Sequence, residues 1–221
     1  EKMMIHAVIF DMDGVLVDSE PIYQRQELDL FRELGIEMSE AEHNQFVGMG
    51  TKTMCEILIK RYHLNWTVPE LVEKSERMYL EYFHREPTIT PITGAETLIQ
   101  TVYQLRLKIA LASSSSRENI RIVLERLGFG DYFPIRVSGE EVPQSKPAPD
   151  IFRLAANRLQ VEPAHCLVIE DSRNGVLAAK AAGMRCIGYA APNARSQGLE
   201  PADIVVTHLT DIHLNTLISQ F

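Results

Sequence analysis

The stretch Ala7-Val8-Ile9-Phe10-Asp11-Met12-Asp13-Gly14-Val15-Leu16-Val17-Asp18-Ser19-Glu20 decides how this chain folds. Four consecutive apolar residues read as a strand buried on both faces. Two carboxylates stand just past its C-terminal end, where open α/β sheets bind their ligands. Asp11 and Asp13 are two apart, so alternation sends both side chains to one side if the strand continues. Gly14 then lets the chain turn sharply. Two acidic groups this close repel each other unless a cation lies between them. The pattern points to a metal-assisted site in which one carboxylate is a nucleophile.

Outward from this stretch, residues 20 to 85 read as helices only. Ser19-Glu20-Pro21 starts the first, with Ile22, Tyr23, Leu30, Phe31 and Leu34 available for packing and Gly35 as a stop. Ser39 with Glu42, and Thr67 with Glu70, have capping-box spacing. Met54, Ile57, Leu58 and Tyr62 form one apolar stripe, and Leu71, Met78, Tyr79, Tyr82 and Phe83 another. Pro87, Pro91 and Gly94 mark a return to a different pattern. From Ala95 onward helix and strand alternate, with strands expected at Leu107–Ala112, Ile135–Val137, Cys166–Ile169, Cys186–Tyr189 and Ile204–Val206. This order predicts an α/β chain with a Rossmann-like, mostly parallel sheet covered by helices on both faces. Residues 1–18 and 86–221 form its core, and residues 19–85 form an inserted four-helix cap above the C-terminal edge.

Composition narrows the function. The chain has 221 residues, 45% of them hydrophobic, and no apolar run long enough to span a membrane. A net charge of -8 argues against general nucleic-acid binding. It leaves a phosphate ligand open, because a local site and a metal override the global field. Cys55, Cys166 and Cys186 are widely spaced and odd in number, which suits buried free thiols in a reducing compartment. The expectation is a cytoplasmic protein, monomer or weak homodimer, with no membrane or nucleic-acid partner.

Three further strand ends carry chemically useful residues. Ser113-Ser114-Ser115-Ser116 precedes a helix. Hydroxyls and free N–H groups there suit an anion, although serines also simply cap. A run of four exceeds capping needs. Ser113 and Ser114 are therefore assigned to phosphate contact and the rest to capping, with Ser115 and Glu118 at capping-box spacing. Lys146 lies in the proline-stiffened loop Ser145-Lys146-Pro147-Ala148-Pro149-Asp150, and spacing alone makes it a surface residue. Glu170-Asp171-Ser172 reads either as a helix cap or as oxygen ligands suited to Mg²⁺.

Taken together, these residues resemble the haloacid dehalogenase superfamily, in the subfamily with a helical cap after the first strand. The resemblance rests on Asp11-x-Asp13-Gly14-Val15-Leu16-Val17-Asp18, a strand ending in Ser113, Lys146-Pro147, and Glu170-Asp171-Ser172-x-Asn174-Gly175, and it covers nearly the whole chain. It implies that Asp11 attacks phosphorus, and that Asp13 protonates the leaving oxygen and later activates water. It implies that Ser113 and Lys146 hold the phosphoryl group. Mg²⁺ would be bound by Asp11, the backbone carbonyl of Asp13, and Asp171, with Glu170 close by. Such chemistry needs positioning and charge neutralisation more than anything else.

The implied function is a Mg²⁺-dependent phosphatase of small phosphorylated metabolites, sugar phosphates foremost, acting through an aspartyl-phosphate. The alternative within the family is β-phosphoglucomutase, whose sequence the segments around Ser113 and Lys146 resemble closely. A mutase must grip a distal phosphate with a cation of its cap. Here Tyr23 stands where the mutase has a histidine, and Gly48-Met49-Gly50-Thr51-Lys52 puts threonine at the arginine position, with a lysine beside it. Lysine is not equivalent to arginine's bidentate fork. Arg117 either meets a second phosphate or faces solvent. Gly14, Thr51, Lys52 and Arg117 join Ser113, Ser114 and Lys146 as candidate substrate contacts. A dehalogenase, a phosphonoacetaldehyde hydrolase with a Schiff-base lysine, and a non-catalytic metabolite- or protein-binding module fit the motifs less well.

Overall fold

The computed structural model describes residues 4–46, 49–87, 89–192 and 198–218. Its sheet is built from β1 (Ala7–Phe10), β2 (Lys108–Ser113), β3 (Arg136–Ser138), β4 (Cys166–Glu170), β5 (Arg185–Tyr189) and β6 (Ile204–Val206). The strands lie in the order β3-β2-β1-β4-β5-β6, and every pairing is parallel. The strands expected from sequence are all present, each within about one residue of its expected bounds. β1 pairs with β2 on one side and β4 on the other, so the strand order reverses at β1. A crevice opens at such a reversal, outside the C-terminal strand ends.

Parallel strands need helical crossovers, and these cover both faces. Alternation along β1 sends Val8 and Phe10 to one face, against Leu98, Ile99 and Val102 of α5 (Ala95–Gln104) and Ile120, Val123 and Leu124 of α6 (Arg117–Leu127). Ala7 and Ile9 point the other way, against α7 (Asp150–Leu159) and α8 (Arg173–Ala181). Alanines at 178 and 179 let α8 approach the sheet closely. Cys55, Cys166 and Cys186 are buried free thiols.

Between β1 and α5 the chain forms α1 (Glu20–Glu33), α2 (Glu40–His43), α3 (Thr51–Tyr62) and α4 (Val68–Arg85). The capping boxes at Ser39–Glu42 and Thr67–Glu70 are both formed. These helices own a separate apolar core that includes Leu30, Phe31, Phe46, Leu58 and Leu71. The entering and leaving segments are tied together, with Ile92 N–H donating to Leu16 C=O at 2.9 Å and Val17 bridged to Pro91. No helix among the described residues is long and apolar enough to cross a membrane.

Because Leu58 is fully buried in the separate core of the inserted helices, Leu58→Ala should cost about 2–5 kcal/mol there. Hydrogen exchange should accelerate in α3 and α4 while β1 and β4 amides keep their protection. Equal acceleration in both regions would show one undivided cooperative unit.

Candidate active site

β1 ends at Phe10, so Asp11 and Asp13 do not share a strand face as continued alternation would require. The chain turns at Met12 and the two carboxylates enter different surroundings. Asp11 Oδ1 accepts from Lys146 Nζ at 2.6 Å, and Glu170 Oε1 accepts from the same ammonium at 2.7 Å. The Ala112 carbonyl receives a third contact at 3.3 Å, and Nζ stands 5.0 Å from the centre of the Phe152 ring. Lys146 is only 3% exposed, which corrects its reading as a surface lysine from loop spacing. Its partners lie 135 and 24 residues away, beyond the reach of local pattern.

Asp13 is held instead by hydroxyls. Ser19 Oγ donates to Oδ1 at 2.6 Å and Ser115 Oγ donates to Oδ2 at 2.9 Å, with Ser113 Oγ at 3.5 Å. With its proton on Asp13, Ser115 accepts from Tyr23, whose hydroxyl lies 3.0 Å away. Burial, with Asp13 nearby, pushes the Tyr23 phenol well above its ordinary value, so it stays a neutral donor. Ser115 is therefore not the helix cap that its spacing to Glu118 suggests. Ser116 caps α6 by accepting from Asn119 N–H, and Glu118 pairs with Arg121. The cap moves one residue because Ser115 is drawn into the site.

Asp11, Glu170 and Asp171 each offer a carboxylate oxygen, all within 4.8 Å of one another, forming a group able to hold a metal ion. The Asp13 carboxylate is not part of that group. Two glycines make the cluster possible. Gly14, at φ +77°, would carry a Cβ 1.9 Å from Asp171 Oδ2, and Gly175 one 1.7 Å from Glu170 Oε1. Glu170 Oε2 accepts from Ser172 N–H at 2.8 Å and Ser172 Oγ at 3.0 Å, while that hydroxyl caps α8 through Gly175 N–H. Ser172 thus takes the capping role, while Glu170 and Asp171 join the carboxylate group that could hold a metal.

The electrostatics favour a cation. Burial, reinforced by Glu170 and Asp13 against the pull of Lys146, pushes the Asp11 carboxyl up to about 8. Burial beside Glu170 and Asp11 also holds Asp171 well above the carboxylate range. Burial raises Asp13 too, opposed by its hydroxyl partners. Burial alone would lower Lys146, but the carboxylates of Asp11 and Glu170 outweigh it and hold the ammonium above its ordinary value. One ammonium facing three carboxylates leaves negative charge that hard oxygen donors share best with a divalent ion such as Mg²⁺.

A cavity of about 90 Å³ lies over these groups, lined on one side by the strand ends and on the other by the inserted helices. Gly14, Ser114 and Thr51 line the cavity, as do Asp11, Asp13 and Lys146. Lys52 and Arg117 do not. Lys52 is exposed near Glu56, and Arg117 pairs with Glu141 at 3.1 Å. Gly48 lies outside the described residues. The sequence reading missed Gln26, Glu27 and Ser75, which also line the cavity. Tyr23, Gln26 and Glu27 stand three and four residues apart, so one face of α1 carries them all. That spacing was available as a signal.

The sequence model described as haloacid dehalogenase-like hydrolase matches residues 8–189. The chain is 33% identical to hexitol phosphatase B of Escherichia coli over 217 residues, 97% of both proteins. It is 33% identical to a phosphorylated carbohydrates phosphatase of Thermotoga maritima, covering 83% of this chain and 84% of that one. A β-phosphoglucomutase structure from Clostridium difficile superposes with TM-score 0.85 at 25% identity, covering 97% of this chain and 96% of that one.

The raised carboxylates carry a stability signature. Their folded-state values exceed the ordinary 3.8, so the folded chain binds more protons than the unfolded one and stability falls as pH rises. Without divalent ions, the melting temperature should drop between about pH 5 and about pH 8. Millimolar Mg²⁺ should flatten that drop. Identical thermal-melt profiles with EDTA and with Mg²⁺ would mean that the cluster takes no cation.

Proposed function

This chain belongs to the haloacid dehalogenase-like hydrolases, and from that premise we propose that it is a Mg²⁺-dependent phosphatase of small phosphorylated metabolites, sugar phosphates foremost. The observation that carries the reading is the separation of Asp11 from Asp13. One carboxylate is paired with an ammonium inside a metal-type cluster, and the other is held by hydroxyls outside it. Two carboxyl groups in environments this different suit two different roles.

Asp11, Glu170 and Asp171 fit a divalent ion by donor type and spacing, and would hold Mg²⁺. When bound, the ion supplies positive charge that keeps Asp11 ionised and offsets the charge of an incoming phosphate. Asp11 then attacks phosphorus, and the bond from phosphorus to the leaving oxygen breaks. Asp13 gives its proton to that oxygen, which leaves as an alcohol. In the second half, water attacks the aspartyl-phosphate and Asp13 takes up its proton, releasing phosphate and restoring Asp11. Lys146 neutralises charge beside Asp11 throughout. Ser114, on the cavity wall just past β2, would contact phosphoryl oxygens. Ser113 holds the turn through Ser115 N–H at 3.1 Å.

The phosphatase reading is favoured over the mutase by the surroundings of the cavity. A mutase needs a cation for the distal phosphate of its bisphosphate intermediate. Among the described residues lining the cavity, Lys146 is the only lysine or arginine, and it is committed to Asp11 and Glu170. The named activities of the Escherichia coli and Thermotoga maritima relatives point the same way.

Phosphate release should be measured over a panel of sugar phosphates with Mg²⁺ and with EDTA. Parallel assays should contain β-glucose 1-phosphate with catalytic β-glucose 1,6-bisphosphate. Release that requires Mg²⁺ supports the phosphatase, whereas isomerisation to glucose 6-phosphate without net release would make it a mutase. Asp11→Asn should lower turnover by at least about a thousandfold, and Asp13→Asn by about a hundred- to ten-thousandfold. Full activity in deamidation-free Asp11→Asn protein would remove the nucleophile assignment.

A further inference from the structure

We propose that Glu27, held in place by His43, is a specificity-determining residue that selects substrates whose far end is an uncharged polyol and rejects those carrying a second phosphate. This rests on the phosphatase reading above and extends it from the phosphoryl group to the rest of the substrate.

The cavity has two chemically distinct walls. The core wall supplies the carboxylates and Lys146. On the wall supplied by the inserted helices, Gln26, Glu27 and Ser75 are polar, beside the apolar side chains of Phe46, Met49 and Met54. Gln26 Nε2 donates to Ser75 Oγ at 3.3 Å, tying α1 to α4 and fixing the amide. Glu27 Oε2 is paired with His43 Nε2, and the His43 ring is buried edge-on against Phe31, with centroids 5.2 Å apart. A carboxylate anchored this way keeps one position. Its other oxygen, Oε1, has no hydrogen bond among the described residues.

An ionised carboxylate only accepts hydrogen bonds, and the oxygens of a phosphate dianion likewise only accept. The two cannot satisfy each other, and their charges repel. A hydroxyl donates to Glu27 and accepts from the amide or from Ser75, while the carbon chain of a polyol packs on the neighbouring apolar surfaces. A wall built to hydrogen-bond hydroxyls discriminates strongly against a group that leaves its polar atoms unpaired.

The test compares kcat/KM for a hexitol 6-phosphate, a hexose 1,6-bisphosphate and p-nitrophenyl phosphate in the wild-type protein, in Glu27→Gln, and in Glu27→Gln/His43→Gln. The double variant replaces both partners of the pair, so neither is left without its counterpart if the single variant folds poorly. The wild type should prefer the hexitol monophosphate over the bisphosphate by at least about tenfold. Both variants should compress that preference by about tenfold or more, because an amide can donate to phosphate oxygens. p-Nitrophenyl phosphate, which has neither a polyol nor a second charge, supplies the reference rate by which each variant's values for the two sugar esters are divided. If the wild type processes the bisphosphate as well as the monophosphate, or if the folded variants retain the preference, the role of Glu27 is wrong while the phosphatase reading stands. If none of the three esters releases phosphate with Mg²⁺, the phosphatase reading fails and this proposal falls with it.

Discussion

The contact of the Lys146 ammonium with Asp11 and Glu170 is the interaction around which the structure is arranged. Breaking a buried pair by removing one partner costs about 3–5 kcal/mol, because the remaining charge is left uncompensated. That penalty binds three strand ends together. Asp11 follows β1, Glu170 ends β4, and Lys146 crosses from the loop before α7 to reach both. The pair does not balance the site, since Asp171 adds a further carboxylate. Folding therefore leaves a deficit of positive charge at the strand reversal. A binding-competent site is maintained at the expense of cation-free stability, as functional sites commonly are.

Much of this was legible in the sequence where the signal is local. The run Ala7–Phe10, the alternation after Ala95 and the capping spacings at Ser39 and Thr67 each depend on residues near one another, and each formed as expected. The run Cys166–Ile169 similarly placed Glu170 and Asp171 at a strand end. Lys146 was different. Nothing in a proline-flanked loop says that its one ammonium is buried, because its partners arrive from distant elements. The family resemblance placed it in the site, whereas spacing placed it on the surface.

The serine run shows the same division at finer scale. Ser115 and Ser116 both have the chemistry of a helix cap, and local spacing favoured Ser115. Tertiary demand decided otherwise. Asp13 takes hydroxyl donors for its half-buried oxygens, Ser115 supplies one, and Ser116 inherits the cap. The wall formed by the inserted helices was partly hidden for a related reason. Tyr23, Gln26 and Glu27 share a helical face, but their common surface acquires meaning only once that face is known to close over a cavity rather than to pack inward.

The bond between Leu16 and Ile92 has a consequence for the history and engineering of such a chain. These residues lie on either side of 75 intervening positions, yet they are adjacent in space and joined by a 2.9 Å hydrogen bond. The core therefore spans no distance between leaving β1 and resuming at α5. An insert whose two ends meet at those points gives the sheet no gap to span, although Ile22, Tyr79 and Phe83 still pack into the core beside Val8 and Phe10. An exchange of the outer stretch keeps the reaction centre only if it retains Ser19 and Tyr23, which serve Asp13 from its first turns.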